Sequence, residues 1–377
     1  MFFFHFPPMS GGGSIVSHGI VNALSEFDNK ITVLVPDVNW NESKYTPKLN
    51  NKATVLRVQT PSRSNLKIAA RRCKNNLIKK GINIGRKEKY DFVLTIFHPF
   101  HRVPHAAVEC AKKLNIPVII KVDDAIFDKT TGLKSIQRKI EKISNTKVIK
   151  NADLILVSNN KTRSVIIENY NIESEKISIV PNGIDIESFV KHELKQNFVI
   201  FSGMMYHHRG LEVLLKAAQK VITKNPKIKF MLLGDGPEKN KLIQLTEDLG
   251  ISSNVEFKGW VNREQIPHLL AKSLIGIGPL KLTAVTEGAL PIKVLEYMAS
   301  SLPIIAKKGT LSKDILYENE NGFLIDDYED LAEKINILLE NQELREKMGL
   351  ESLNLVKKFD WEKIGQKIIY EYEKIEN

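Results

Sequence analysis

The feature that most constrains the fold is an alternation that runs almost the length of the 377-residue chain. Short apolar or β-branched runs at 31–36, 53–58, 91–97, 117–122, 153–158 and 177–180 are separated by stretches with helical spacing, such as 103–114 and 134–147. Runs this continuously apolar have no polar face to give to water, so they predict parallel sheets covered by helices on both sides. The pattern pauses at 184–196 (IDIESFVKHELKQ), which reads as a linker, and resumes at 197–202, 229–233, 254–258, 274–279, 303–306 and 322–325, with helices expected over 211–223 and 237–249. A last helix over 360–376 has Trp361, Ile364, Ile368, Ile369 and Tyr372 at helical spacing. The length suits two domains. The expectation is an α/β fold of two Rossmann-like, doubly wound halves, 1–190 and 191–359, facing each other, with 360–377 packing back on the first. Ligands of such sheets gather at the carboxyl ends of the strands, here a cleft between the halves.

Composition narrows the class. Apolar residues make up 42% and charged residues 26%, enough to fill real cores. No apolar run approaches the ~18 residues that span a bilayer. The opening MFFFHFPP lacks the basic and long apolar regions of a signal peptide and reads as a first strand ending at Pro7-Pro8. Cys73 and Cys110 offer neither metal spacing nor a disulfide framework and suit a reducing compartment. A cytoplasmic location follows as an expectation, peripheral to the inner face of the membrane if the basic excess is used there. That excess is a formal net charge of +11, which favours anionic partners. It concentrates between 60 and 90, where ten basic residues face only Glu88. Within it, 64–80 places Leu66, Ala69, Ala70, Cys73 and Leu77 on one helical face. Such a helix either lies on an anionic membrane or packs on the first sheet. Sparse aromatic residues there argue against specific nucleic-acid binding.

Several strand ends carry residues with chemical meaning. Gly11-Gly12-Gly13 precedes a helical pattern and permits close approach to a phosphate, or is a plain flexible loop. Gly203 ends the first strand of the second half, and Arg209 follows near a helix start, where a guanidinium can bind a diphosphate or simply be exposed. Asp123-Asp124 and Asp128 follow the run 117–122, and His98 and His101 follow 91–97. In TEGALPIKVLEYMASSLPIIA (286–306), Pro291 suits a first helical turn, and Lys293 and Glu296 share a helix face. A helix start offers N–H groups to an anion, and a carboxylate there can accept from sugar hydroxyls. LGDGP at 233–237 reads mainly as a turn.

PPMSGGG, NADLILVSNNKT, KISIVPNGIDIESF, FSGMMYHHRGLEVLLKA, FMLLGDGPE, NVEFKGWV, PIKVLEYMASSLPIIA, ENGFLI and FDWEKI, in this order and spacing, resemble the GT-B glycosyltransferases, specifically the large retaining family numbered four (group 1). The resemblance implies a hexosyltransferase of EC 2.4 type. It would move a sugar from a nucleotide-diphosphate sugar, UDP- or GDP-linked, to a lipid-linked or glycan acceptor, without a metal or other cofactor. It implies donor contacts at Gly13, Gly203, Arg209, Gly259, Trp260, Val261, Glu287, Leu290, Ile292, Lys293 and Glu296, with Glu296 on the ribose hydroxyls and Arg209 and Lys293 at the diphosphate. Asp124 is the expected residue near the reacting sugar. The family's first motif glutamate would fall at 288, which is Gly288, with Glu287 one residue away; its usual basic residue after the strand glycine is Met204 here; and Asp123-Asp124 stands where the family often has His-Asp. An epimerase or sugar-phosphate synthase on the same fold, or a non-catalytic glycan- or partner-binding subunit, are the other readings.

Overall fold

The structure, a computed structural model, describes residues 1–9, 11–39, 46–123, 133–190 and 193–376. The chain divides into two compact units, Met1–Gly183 with Trp361–Asn377, and Ile184–Asp360.

The first unit holds β1 (Ile31–Asp37), β2 (Ala53–Gln59), β3 (Val93–Ile96), β4 (Val118–Val122), β5 (Leu154–Val157) and β6 (Ile177–Ile179). The ladders β1–β2 and β3–β4–β5–β6 are parallel. The N-terminal Phe-rich segment makes only single bridges, with Phe2 pairing Leu34 on one side and Thr95 on the other, so it joins the two ladders. β4 is buried at every position, including Lys121, which is 0% exposed. A buried ammonium is tolerated only with partners. Lys121 has them: its Nζ donates to the Val180 carbonyl at 2.9 Å and lies 2.9 Å from Asp123 Oδ1.

The closing helix Trp361–Glu376 belongs to this unit and packs on the helix Gly12–Ser25. A Cβ at Gly19 would lie 2.1 Å from the Trp361 ring and one at Gly183 2.5 Å from it. Both glycines are therefore spaces for the indole, and the Pro181-Asn182-Gly183 turn owes its glycine to packing.

The second unit is one parallel sheet ordered β12–β11–β10–β7–β8–β9: β7 (Phe198–Ser202), β8 (Lys229–Leu233), β9 (Val255–Gly259), β10 (Ile275–Ile277), β11 (Ile304–Lys307) and β12 (Gly322–Ile325). Helices Leu211–Lys224 and Tyr328–Glu340 pack on one face, and Ile292–Ala299 lies in the core on the other. The stretch 184–196, expected as a linker, is partly core. Ile184 and Phe189 are buried in this unit, and the Ile184 N–H donates to the Phe359 carbonyl at 2.8 Å. Spaced apolar residues (Ile184, Ile186, Phe189) gave the segment a face to bury.

One expectation is narrowed here. The apolar face of 64–80 is not available to a membrane, because Ala69, Ala70, Cys73 and Leu77 lie in the first unit's own core. What remains outside is mainly charge: Lys67, Arg72, Lys79, Lys80, Arg86, Lys87 and Lys89 are exposed, with Ile68 among them. No helix among the described residues is long and apolar enough to cross a membrane.

Candidate functional site

At the carboxyl ends of β7, β8 and β9 three loops interlock through backbone. A Cβ on Gly234 would stand 2.2 Å from the Gly203 carbonyl oxygen, and φ at Gly234 is +116°, so this turn admits only glycine without rearrangement. The Gly203 N–H donates to the Leu233 carbonyl at 2.9 Å, the Gly234 N–H to Gly259 at 2.7 Å, and the Met205 N–H to Asp235 at 2.8 Å. The GDGP turn thus fixes the 203–205 loop in place.

The 203–205 loop leads through the single turn His207–Arg209 to the helix Leu211–Lys224. Arg209 is half-buried, and its carbonyl accepts from the Leu280 N–H at 3.0 Å. Across from it stands the helix Ile292–Ala299, whose preceding Pro291 has φ −74° and ψ 133°. Pro291 therefore sits at the cap, one residue before the expected first turn. The first-turn N–H groups of such a helix have no intrahelical acceptor, and those at Ile292 and Lys293 belong to that class. Tyr297, fully buried in this helix, accepts the Ser202 N–H at 2.7 Å and so ties the helix to the end of β7.

Lys293 is the electrostatic anomaly. Its Nζ lies 3.8 Å above the Phe201 ring, is buried, and makes no hydrogen bond among the described residues. Burial pushes its pKa well below the usual lysine value, and the Arg209 charge pushes the same way; Glu296 opposes them. Glu296, 3% exposed, is not bare: Arg263 Nη1 donates to its Oε1. Sequence reasoning missed Arg263, which stands in a polar turn (VNREQ) with nothing to distinguish it from a solvated arginine.

The second unit therefore brings together Gly203, Arg209, Lys293 and Glu296, with Gly259 joined through Gly234. Trp260 is 49% exposed, and Val261 packs against the core. Leu290 is buried in that core, so only its backbone is offered. Glu287 is exposed, and its N–H donates to the Thr283 carbonyl at 2.9 Å. The loop is held instead by Thr286, whose hydroxyl donates to the Lys281 carbonyl at 2.6 Å and accepts the Thr283 N–H at 2.9 Å.

Gly13 lies in the first unit, where a Cβ would meet His5 Nδ1 at 3.1 Å. His98 and His101 stack with centroids 3.9 Å apart, and His5 lies 5.0 Å from His101. Burial lowers His5 to about 4. Burial and then His5 lower His98 to about 4. Burial, then His98 and His5, lower His101 to about 2. The cluster is neutral imidazole. Among the described residues no group of three or more His, Cys, Asp or Glu is arranged to hold a metal ion. Asp123 accepts from Ser158 Oγ at 2.5 Å as well as facing Lys121. Asp124 lies outside the described residues.

A parallel six-stranded sheet with helices on both faces is the frame of a Rossmann-like unit. The family comparisons agree. The model "Glycosyl transferases group 1" matches residues 184–352, and "Glycosyltransferase Family 4" matches residues 10–188. The chain belongs to this glycosyltransferase family, group 1 of family 4, with the GT-B fold. A poly(ribitol-phosphate) alpha-N-acetylglucosaminyltransferase of Staphylococcus aureus is 27% identical over 247 residues, 64% of this chain and 47% of that protein, so the chain spans about half of that relative. A UDP-Gal:alpha-D-GlcNAc-diphosphoundecaprenol alpha-1,3-galactosyltransferase of Escherichia coli is 25% identical over 270 residues, 67% of each. Among solved structures, Anabaena HepE in complex with UDP superposes with a TM-score of 0.71 at 16% identity, covering 99% of both chains, a likeness of fold.

Proposed function

We propose that this chain transfers a hexosyl group from a nucleoside-diphosphate sugar to a lipid-linked or glycan acceptor, with retained anomeric configuration and without a metal ion. The observation that carries the reading is Lys293: a buried amine beside Arg209 at a helix start, with no hydrogen-bond partner among the described residues. An isolated buried cation is costly. A diphosphate would supply the missing acceptors, and its negative charge would favour the protonated amine. The E. coli relative's name gives both a UDP-sugar and a diphospholipid-linked acceptor, and that likeness supports the same classes for this chain.

In this reading Arg209, Lys293 and the first N–H groups of Ile292–Ala299 take up the charge that develops on the leaving diphosphate. Glu296 receives ribose hydroxyls, and the backbone of Gly203, Gly259 and Val261 with the Trp260 ring borders the nucleotide. The bond from the anomeric carbon to the phosphate oxygen breaks, the bond to the acceptor oxygen forms on the same face, and the acceptor proton passes to the leaving phosphate. The exposed lysines and arginines of 67–89 would hold the protein to an anionic membrane face by charge alone.

Incubating purified protein with UDP- and GDP-sugars and membrane extract, with and without EDTA, tests this. The expected result is EDTA-insensitive release of the nucleoside diphosphate and a product of unchanged anomeric configuration. No release with any common donor overturns the transfer reading. An inverted product overturns retention, and EDTA sensitivity overturns metal independence. A converted sugar nucleotide with donor alone identifies an epimerase.

A further inference from the structure

The loop after β9 ends in the single turn Arg263–Gln265, and Arg263 reaches from it to Glu296 in the helix Ile292–Ala299. A carboxylate that is 3% exposed requires a charged partner. Lys293, one turn earlier on the same helix, does not bond to it; its Nζ is occupied with the Phe201 ring. Arg263 is the partner, and it is itself held: its guanidinium lies 5.2 Å over the ring of Phe189, a side chain 3% exposed. The carboxylate is thereby held in direction from the loop after β9.

We infer that Arg263 is a positioning residue whose hold on Glu296 makes the site select a ribonucleoside diphosphate over its 2′-deoxy counterpart. The inference rests on the donor reading above. An ionised carboxylate has about four acceptor directions. With Oε1 engaged, the remaining ones are fixed, and a vicinal diol can donate to two of them. A 2′-deoxyribose leaves one buried acceptor unpaired, which is the circumstance in which a site rejects an analogue strongly. A carboxylate without the arginine is free to turn toward the one remaining hydroxyl, and the discrimination is lost.

Calorimetric titration of UDP and GDP into the purified protein identifies the tighter ligand, and its 2′-deoxy form is then compared with it. Wild-type protein is expected to bind the deoxy form about ten- to a hundred-fold more weakly. Arg263→Met should weaken the ribonucleotide about tenfold and bring the ratio near unity, while Arg263→Lys, which keeps charge but not the fork, falls between. The double variant Arg263→Met with Glu296→Gln leaves no uncompensated buried charge and should also show a ratio near unity. If Arg263→Met does not fold, the lysine and double variants decide. An unchanged ratio in any folded Arg263 variant, whatever its melting temperature, overturns the inference and makes the pair purely structural. A full ratio in Glu296→Gln overturns instead the assignment of the ribose to Glu296, and no binding of either nucleotide to wild-type protein overturns the donor reading itself.

Discussion

At the strand ends of the second unit the polar groups are ionisable side chains set against one another: Arg263 pairs with Glu296, and Lys293 sits over Phe201 beside Arg209. At the strand ends of the first unit, His98 stacks on His101 with His5 tilted against them, and burial pushes all three toward the neutral form. Both units wind parallel strands, and both place a glycine-bearing loop near their start, Gly11 to Gly13 before β1 and Gly203 after β7. Burial is answered differently in each. A histidine can relinquish its charge within a few pH units and become an aromatic surface; an arginine cannot, and here it is paired with a carboxylate. A single topology therefore carries an end suited to an anionic ligand and an end with a neutral, aromatic lining, and side-chain type decides which.

The largest effect that would sharpen this contrast is at Lys293. Lys293→Met keeps the length of the side chain and removes a buried amine without acceptors, so thermal stability should hold or rise. Donor turnover should fall on the order of 10²–10³-fold, the usual loss for one group that stabilises leaving-group charge. Melting curves and kcat/KM on the same variant check it; a joint loss of stability and turnover would mean Lys293 belongs to the packing, and the contrast would fail.

The histidine end should show its effect in acid. An imidazole whose pKa drops on folding, from 6.5 to about 4 for His5 and His98, binds fewer protons in the fold than in the unfolded chain. Its stabilisation is complete above about pH 6.5 and is lost as pH falls toward 4. A tenfold change in proton affinity is worth about 1.4 kcal/mol, so a few kcal/mol should disappear across that window. The melting temperature measured from pH 7 to 4.5 should fall, and His101→Phe should flatten the slope.

Gly19→Ala comes next. Its Cβ would collide with the Trp361 ring, and overpacking of this kind costs roughly 1–3 kcal/mol. Urea unfolding of the variant should show it, whereas Lys79→Glu with Lys80→Glu, both exposed, should stay within about 0.5 kcal/mol of wild type. The charge reversals should nonetheless weaken sedimentation with anionic vesicles; unaltered sedimentation removes the membrane role proposed for 67–89.

The strands were legible because their signal is local. Apart from the opening Phe-rich run, which makes only single bridges, every apolar run named from sequence is a strand within a residue or two, from β1 at Ile31–Asp37 to β12 at Gly322–Ile325, since a strand buried on both faces cannot be written otherwise. Gly203, Arg209, Lys293 and Glu296 were named from helix-start chemistry and family resemblance, and they do gather in one unit. The linker at 184–196 misled because a few spaced apolar side chains outweigh a polar average. Arg263, Phe201 and the Tyr297 hydroxyl were not legible. Each matters through a partner tens of residues away, and no local pattern encodes a hydrogen bond between residues 263 and 296. Lys121 gave a signal that went unused: a lysine inside an otherwise apolar strand must find partners.

The indole of Trp361 seated against Gly19 and Gly183 has a consequence for the order in which the molecule is made. Residues of the first unit leave the ribosome both before and after the second, and Ile184–Asp360 emerges as one uninterrupted piece between them. A chain halted at Asp360 carries everything the second unit needs and still lacks the helix that covers Gly12–Ser25. The portion begun earlier is thus the portion completed later, and its exposed apolar groove waits through the birth of an entire neighbouring unit for sixteen residues to close it.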